Sequence, residues 1–170
     1  MHGPSPAARI GESAAPALPV PVTAVVVSRG GAPDLADTLA SLLAQTRPPE
    51  SVIVVDEGLC DDAARVAARF RVRCFHLGPL GPADARDRGL EAVRTPYVLF
   101  LEPGDVLPAG LLAEGVERLA RTGTDLAVLG CAMPGNPTAN PVLYRADALR
   151  RLGGCAFFRG GGAPVSTVSG

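Results

Sequence analysis

Three short runs of aliphatic and β-branched residues, at 22–27, 51–55 and 97–101, alternate with segments of helical spacing, and this pattern restricts the fold more than any other feature. Such runs offer almost no polar face, so each must be covered on both sides, as in a parallel sheet with crossover helices. The expected class is therefore α/β.

The segments between the runs fit. Asp34 follows Pro33 as an N-cap candidate, and Leu35, Leu39, Leu42 and Leu43 fall at i, i+4, i+7 and i+8 before the Pro48-Pro49 stop. Asp61 or Asp62 is placed to cap an Ala-rich helix reaching about Phe70, and a further strand is expected at 71–75. Helices follow at 83–93 and 108–121, with a fifth strand at 126–130. Beyond a Pro/Asn loop at 133–141, a short strand at 142–145 leads into a helix at 146–152 that Gly153-Gly154 ends. The expected organisation is a flexible leader over 1–21, one domain over 22–154 and a flexible Gly/Ser-rich tail over 155–170.

With 170 residues, 47% of them apolar, the chain can bury one substantial core. A formal net charge of −1 argues against nucleic acid as a partner. All 16 basic side chains are Arg, which removes the lysine of a P-loop, of a pyridoxal Schiff base and of a Ser-Lys dyad. The four cysteines, Cys60, Cys74, Cys131 and Cys155, form no C-x-x-C pair and read as packed thiols of a reducing cytoplasm. The N-terminus lacks the basic and continuous apolar regions of a signal peptide, and no apolar run approaches the roughly 18 residues of a transmembrane helix.

Acids stand where these strands end. Tyr97-Val98-Leu99-Phe100-Leu101 runs straight into Glu102-Pro103-Gly104-Asp105, and the run at 51–55 into Asp56-Glu57-Gly58. Parallel strands emerge on one edge of a sheet, so these two groups are expected to share one crevice, where acids commonly hold a divalent cation against phosphate. A third pair, Asp84 and Asp87, suits the positive end of a helix and is read either as solvated helix-start charge or as part of a site. Other α/β chemistries fail on position. The turn after the first strand, Ser28-Arg29-Gly30-Gly31, lacks G-x-G-x-x-G spacing, and no Asp stands there to serve as an aspartyl nucleophile. No G-x-S-x-G elbow precedes His76, which reads as a partly buried strand-end residue.

Taken together, 22–29, Leu39-Ala40-Ser41-Leu42-Leu43-Ala44-Gln45-Thr46 and Val54-Val55-Asp56-Glu57-Gly58 resemble the opening of family 2 glycosyltransferases of the GT-A fold. Ala85-Arg86-Asp87-Arg88-Gly89-Leu90 is similar to that family's A-R-N-x-G-L segment, and Phe100-Leu101-Glu102-Pro103-Gly104-Asp105 to its F-L-D-x-D-D metal loop. Leu143-Tyr144-Arg145 through Gly153-Gly154 resembles the strand and helix lining the acceptor side.

The resemblance implies a Rossmann-like, mainly parallel sheet flanked by helices, and transfer of a sugar from a nucleotide-diphosphate sugar to an unidentified acceptor. It places Val27, Ser28, Arg29 and Asp56 at the nucleobase and ribose, Arg86 near the base or diphosphate, and Glu102 at the donor. Glu102 and Asp105 would hold Mg²⁺ or Mn²⁺. Departures are also legible. Gly104 stands where the family has a second Asp, and no Asp, Glu or His follows Asp147 to deprotonate an acceptor. The alternative expectation is therefore a truncated, non-catalytic GT-A nucleotide-binding module.

Overall fold

The structure, a computed structural model, describes residues 18–30, 32–59, 61–130 and 140–155. Most of the expected leader, the loop at 133–139, Cys60, Cys131 and the tail beyond Cys155 lie outside the described residues.

The strands β1 (Val20–Ser28), β2 (Pro49–Asp56), β3 (Arg73–His76) and β4 (Tyr97–Leu101) all run parallel. Two short strands, β5 (Leu126–Val128) and β6 (Val142–Arg145), complete a six-stranded sheet of order β3-β2-β1-β4-β6-β5. β6 is antiparallel to both β4 and β5. The parallel half follows from the β-α-β alternation. The insertion of β6 between β4 and β5 does not, because two strands of three and four residues carry too little pattern to state a partner.

Among the described residues, five helices cover the sheet: α1 (Ala32–Leu43), α2 (Asp62–Arg69), α3 (Pro82–Ala92), α4 (Leu111–Thr122) and α5 (Ala146–Arg151). Alternation along the central strands sorts the core onto two faces. Ala24, Val26 and Val54 pack with Leu35, Leu39 and Leu42 of α1 and with α2 and α4, while Val25, Val27 and Val55 pack with Ala85 and Leu90 of α3 and Leu149 of α5. The three α1 leucines are completely buried, each contributing roughly 1.5–3 kcal/mol relative to exposure. Gly89 lets α3 lie directly on β1, since a Cβ there would overlap Val25 Cγ1.

Boundaries differ from expectation where tertiary contacts extend or shorten an element. β1 begins at Val20, whose N–H bonds Pro48 O at 2.9 Å, and Val20 is fully buried. α4 starts at Leu111 rather than 108, and the fifth strand stops at Val128. Asp34 lies in the first turn of α1 rather than at its cap. Among the described residues, no helix is long and apolar enough to cross a membrane.

Candidate functional site

The carboxyl ends of β1, β2 and β4 are adjacent in the sheet, so the acids expected there do share one edge. Their environments differ sharply. Asp56 and Ser28 are register partners at the ends of β2 and β1, and both are completely buried. Asp56 Oδ1 accepts from Gly58 N–H at 3.1 Å, and Oδ2 bonds His76 Nδ1 at 3.0 Å. Ser28 O accepts the Glu57 N–H at 2.8 Å.

Glu57, one residue on, points to the other face and serves as an anchor. Its side chain is 4% exposed, Oε1 accepts the N–H groups of Leu80 and Gly81 at 3.0 and 2.5 Å, and Oε2 takes Arg29 Nε at 3.3 Å. A carboxylate at the two residues that precede α3 also suits the positive end of that helix. Arg29 is thereby held by one nitrogen while its side chain stays 60% exposed.

Val27, Arg29 and Glu102 line a cleft of about 250 Å³ together with Asp34, Pro82 and Pro103. Arg86, from α3, reaches the rim and pairs with Glu102 at 3.1 Å. Asp105 folds back so that Oδ2 accepts the Glu102 N–H at 2.8 Å. Burial pushes the Asp105 carboxyl above its ordinary value, the neighbouring Glu102 charge adds to this, and the Glu102 N–H and Arg86 oppose it. Gly104, at φ +96°, makes the turn between the two acids, and its N–H bonds Thr38 Oγ1 at 2.9 Å.

This donor set suits a hard cation only in part. Glu102 and Asp105 supply carboxylate oxygens, but among the described residues no three Asp, Glu, His or Cys side chains gather into a ready cage. Two carboxylates with the remaining positions left to phosphate oxygens and water is the arrangement Mg²⁺ commonly takes. The residues present fit that mode and no fuller one.

Asp87 is tied into the fold, accepting the Cys155 N–H through Oδ1 and so fixing the Gly153-Gly154 turn against α3. Cys155 is fully buried, and its thiol is pushed up to about 12 by burial and then by Asp87. Thr38 escaped the sequence reading, and His76, expected as a partly buried strand-end residue and found as one, escaped it only in its bond to Asp56. The signal for Thr38 was a hydroxyl on the apolar stripe of Leu35, Leu39 and Leu42, where a buried polar group needs a partner. For His76 there was none, since its partner lies on a neighbouring strand.

A mainly parallel sheet carrying one antiparallel strand beside β4, with an acid-and-arginine cleft at its carboxyl edge, defines a GT-A protein. The chain belongs to glycosyl transferase family 2, whose sequence profile matches residues 23–158. Bacillus subtilis EpsJ, an uncharacterized glycosyltransferase, is 25% identical over 150 residues, 78% of this chain and 43% of EpsJ. The succinoglycan biosynthesis protein ExoO of Rhizobium meliloti is 31% identical over 111 residues, 63% of this chain and 32% of ExoO. Among solved structures, the mannosyltransferase PcManGT of Pyrobaculum calidifontis, in complex with GDP-Man and Mn²⁺, superposes with a TM-score of 0.65 at 20% identity, covering 81% of this chain and 49% of that one. S. aureus TarS superposes at 0.63 with 18% identity, covering 77% and 49%. The chain spans less than half the length of the curated relatives it matches.

Proposed function

We propose that this chain is the donor-binding part of a glycosyltransferase that moves a sugar from a nucleoside-diphosphate sugar to an acceptor hydroxyl. The observation that carries the reading is the cleft itself, where Arg29 and the Arg86–Glu102 pair meet the Glu102–Asp105 turn at the carboxyl edge of parallel strands. Val27 lines the cleft where the nucleobase and ribose would lie, with Ser28 and Asp56 buried at the same sheet edge, and the planar donor forks of Arg29 and Arg86 suit a diphosphate. Glu102 and Asp105 would hold Mg²⁺ or Mn²⁺, which when bound offsets the charge of the leaving diphosphate. PcManGT, solved with GDP-Man and Mn²⁺, and TarS, solved with UDP, make this chemistry the natural one for the shared fold. Cytoplasmic residence belongs to the same reading, since Cys74 and Cys155 are unpaired thiols.

In the transfer, the sugar C1–O bond to the diphosphate breaks with the electron pair leaving on phosphate oxygen. The acceptor oxygen bonds C1 and gives up its proton to a base. No Asp, Glu or His follows Asp147 in this chain. That observation, with Gly104 in the metal loop, favours a second reading in which these 170 residues bind donor without turnover. Isothermal titration with UDP, GDP and dTDP sugars, with and without Mn²⁺, tests the first step. Binding is expected, with little nucleoside diphosphate released in the presence of candidate acceptors. Failure to bind any of them removes the donor-site reading, and robust acceptor-dependent release shows that the base lies elsewhere in the chain.

A further inference from the structure

Thr38 and Ser41 of α1, and Gln45 just past its end, all reach the backbone of the segment that links β4 to α4. Gln45 Nε2 donates to Pro108 O at 2.8 Å and Oε1 accepts the Leu112 N–H at 3.3 Å, while Ser41 Oγ accepts the Leu107 N–H at 3.1 Å. These two residues hold the far part of the segment. Thr38, completely buried, holds its beginning: Oγ1 accepts the Gly104 N–H at 2.9 Å and donates to Asp34 O at 3.1 Å, with Glu102 O 3.5 Å away. Gly104 is the turn between Glu102 and Asp105, which are closed on each other by the Asp105 N–H on Glu102 O at 3.1 Å and the Glu102 N–H on Asp105 Oδ2 at 2.8 Å. Asp34 and Glu102 both line the cleft. One buried hydroxyl therefore joins the acid turn to the first turn of α1.

We propose that Thr38 is a positioning residue for the cation site, holding the Glu102–Asp105 turn at the spacing a divalent cation needs before any ligand arrives. The inference rests on the nucleotide-sugar reading above and deepens it, assigning the cation-dependent part of donor binding to a side chain sealed from the cleft. Where the protein offers only two carboxylates, their separation is set by the backbone that carries them, and groups that orient metal ligands weigh heavily on affinity. Exchanging the hydroxyl for a methyl does more than delete a bond. A methyl carbon comes no nearer to a neighbouring atom than about 3.5 Å, so Thr38→Val moves the Gly104 nitrogen outward by roughly 0.5 Å from its present 2.9 Å. Ligand distances in a metal site are held to about 0.2 Å. Asp34 O, 3.2 Å from the same nitrogen, gives the amide a second acceptor, so the loss falls on the cation more than on the fold.

The test is isothermal titration of wild type, Thr38→Val, Thr38→Ser and Gln45→Met with UDP, GDP and dTDP, once in Mn²⁺ and once in EDTA, beside the urea midpoint of each protein. Mn²⁺ is expected to tighten wild-type binding of at least one nucleotide by about tenfold or more, and Thr38→Val to lose about tenfold of that gain while its binding in EDTA stays unchanged. Thr38→Ser keeps the hydroxyl and with it the gain. Gln45→Met removes the donor to Pro108 O, so it lowers the urea midpoint and keeps the gain, which separates positioning from mere stability. A gain absent from wild type or intact in Thr38→Val, an equal loss in EDTA, or a loss in Thr38→Ser or Gln45→Met that matches Thr38→Val overturns the proposal and leaves the donor site standing. No binding of any of the three by wild type under either condition removes the donor site, and the proposal with it. Should Thr38→Val fail to fold, the Gly104 amide of wild type decides: slow hydrogen exchange without ligand, with a resonance that moves on adding Mg²⁺ and the bound nucleotide, supports the role, and exchange at the unfolded-chain rate or an unmoved resonance refutes it.

Discussion

Glu57→Ala should destabilise the protein by about 2–3 kcal/mol, although Glu57 stands beside a candidate ligand site and not in the centre of the core. The Glu57 side chain is 4% exposed and accepts two backbone N–H groups, from Leu80 and Gly81, that fix the start of α3. Hydrogen bonds to a charged group contribute about 1.5–3 kcal/mol each, and leaving a buried donor unpaired adds its desolvation cost. Two such bonds would total about 3–6 kcal/mol, and because Leu80 is 41% exposed, water recovers part of that loss and brings the expected cost to about 2–3 kcal/mol. The Arg29 contact adds little, because that side chain is 60% exposed and screened. Glu57→Gln keeps an oxygen for both N–H groups and presents an amide N–H to Arg29, so about 1 kcal/mol is expected. Urea unfolding followed by circular dichroism measures both. Glu57→Ala within about 0.5 kcal/mol of wild type, or Glu57→Gln as damaging as Glu57→Ala, refutes the anchoring role.

Gly89→Ala should cost about 1–3 kcal/mol, read as a lower urea midpoint, because its methyl overlaps Val25 in the central strand; an unchanged midpoint would mean that α3 slides freely. Gly104→Asp introduces a side chain at φ +96°, with strain of about 1 kcal/mol, and adds a carboxylate between Glu102 and Asp105. On the reading that these 170 residues bind donor without turnover, tighter Mn²⁺ binding without any gain in transfer is expected, and a gain in transfer would contradict that reading. The Cys74 thiol is pushed above its usual 9.0 by burial and then by the Asp56 charge, so peptide mapping should find it slow to alkylate at neutral pH and faster in Asp56→Asn. A raised thiol value favours the protonated folded state, so its contribution to stability is whole below pH 9.0 and is lost as pH climbs through the folded value. An alkylation rate indifferent to Asp56→Asn would remove the electrostatic part of this account.

Local pattern sufficed for the parallel half of the sheet. Val25, Val54 and Leu99 sit in runs that must be buried on both faces, and chain direction then puts Asp56 and Glu102 on one edge whatever the details of packing. The likeness of the 85–90 and 100–105 segments to a known family was equally available, because such motifs are contiguous. What a charged side chain does at that edge was not available. Asp56 and Glu57 are neighbours in sequence that point to opposite faces, one sealed under His76 and the other bracing Arg29 and α3. Asp87, open in the sequence between helix-start charge and part of a site, holds the backbone of Cys155, 68 residues away. Thr38 reaches the Gly104 N–H across 66 residues, and β6 enters between β4 and β5 on the strength of a few backbone pairs. Burial periodicity and strand direction are written in consecutive residues, whereas the partner of a buried polar group is chosen by whichever donor or acceptor the packed faces bring within 3 Å of it. That choice belongs to the tertiary structure alone.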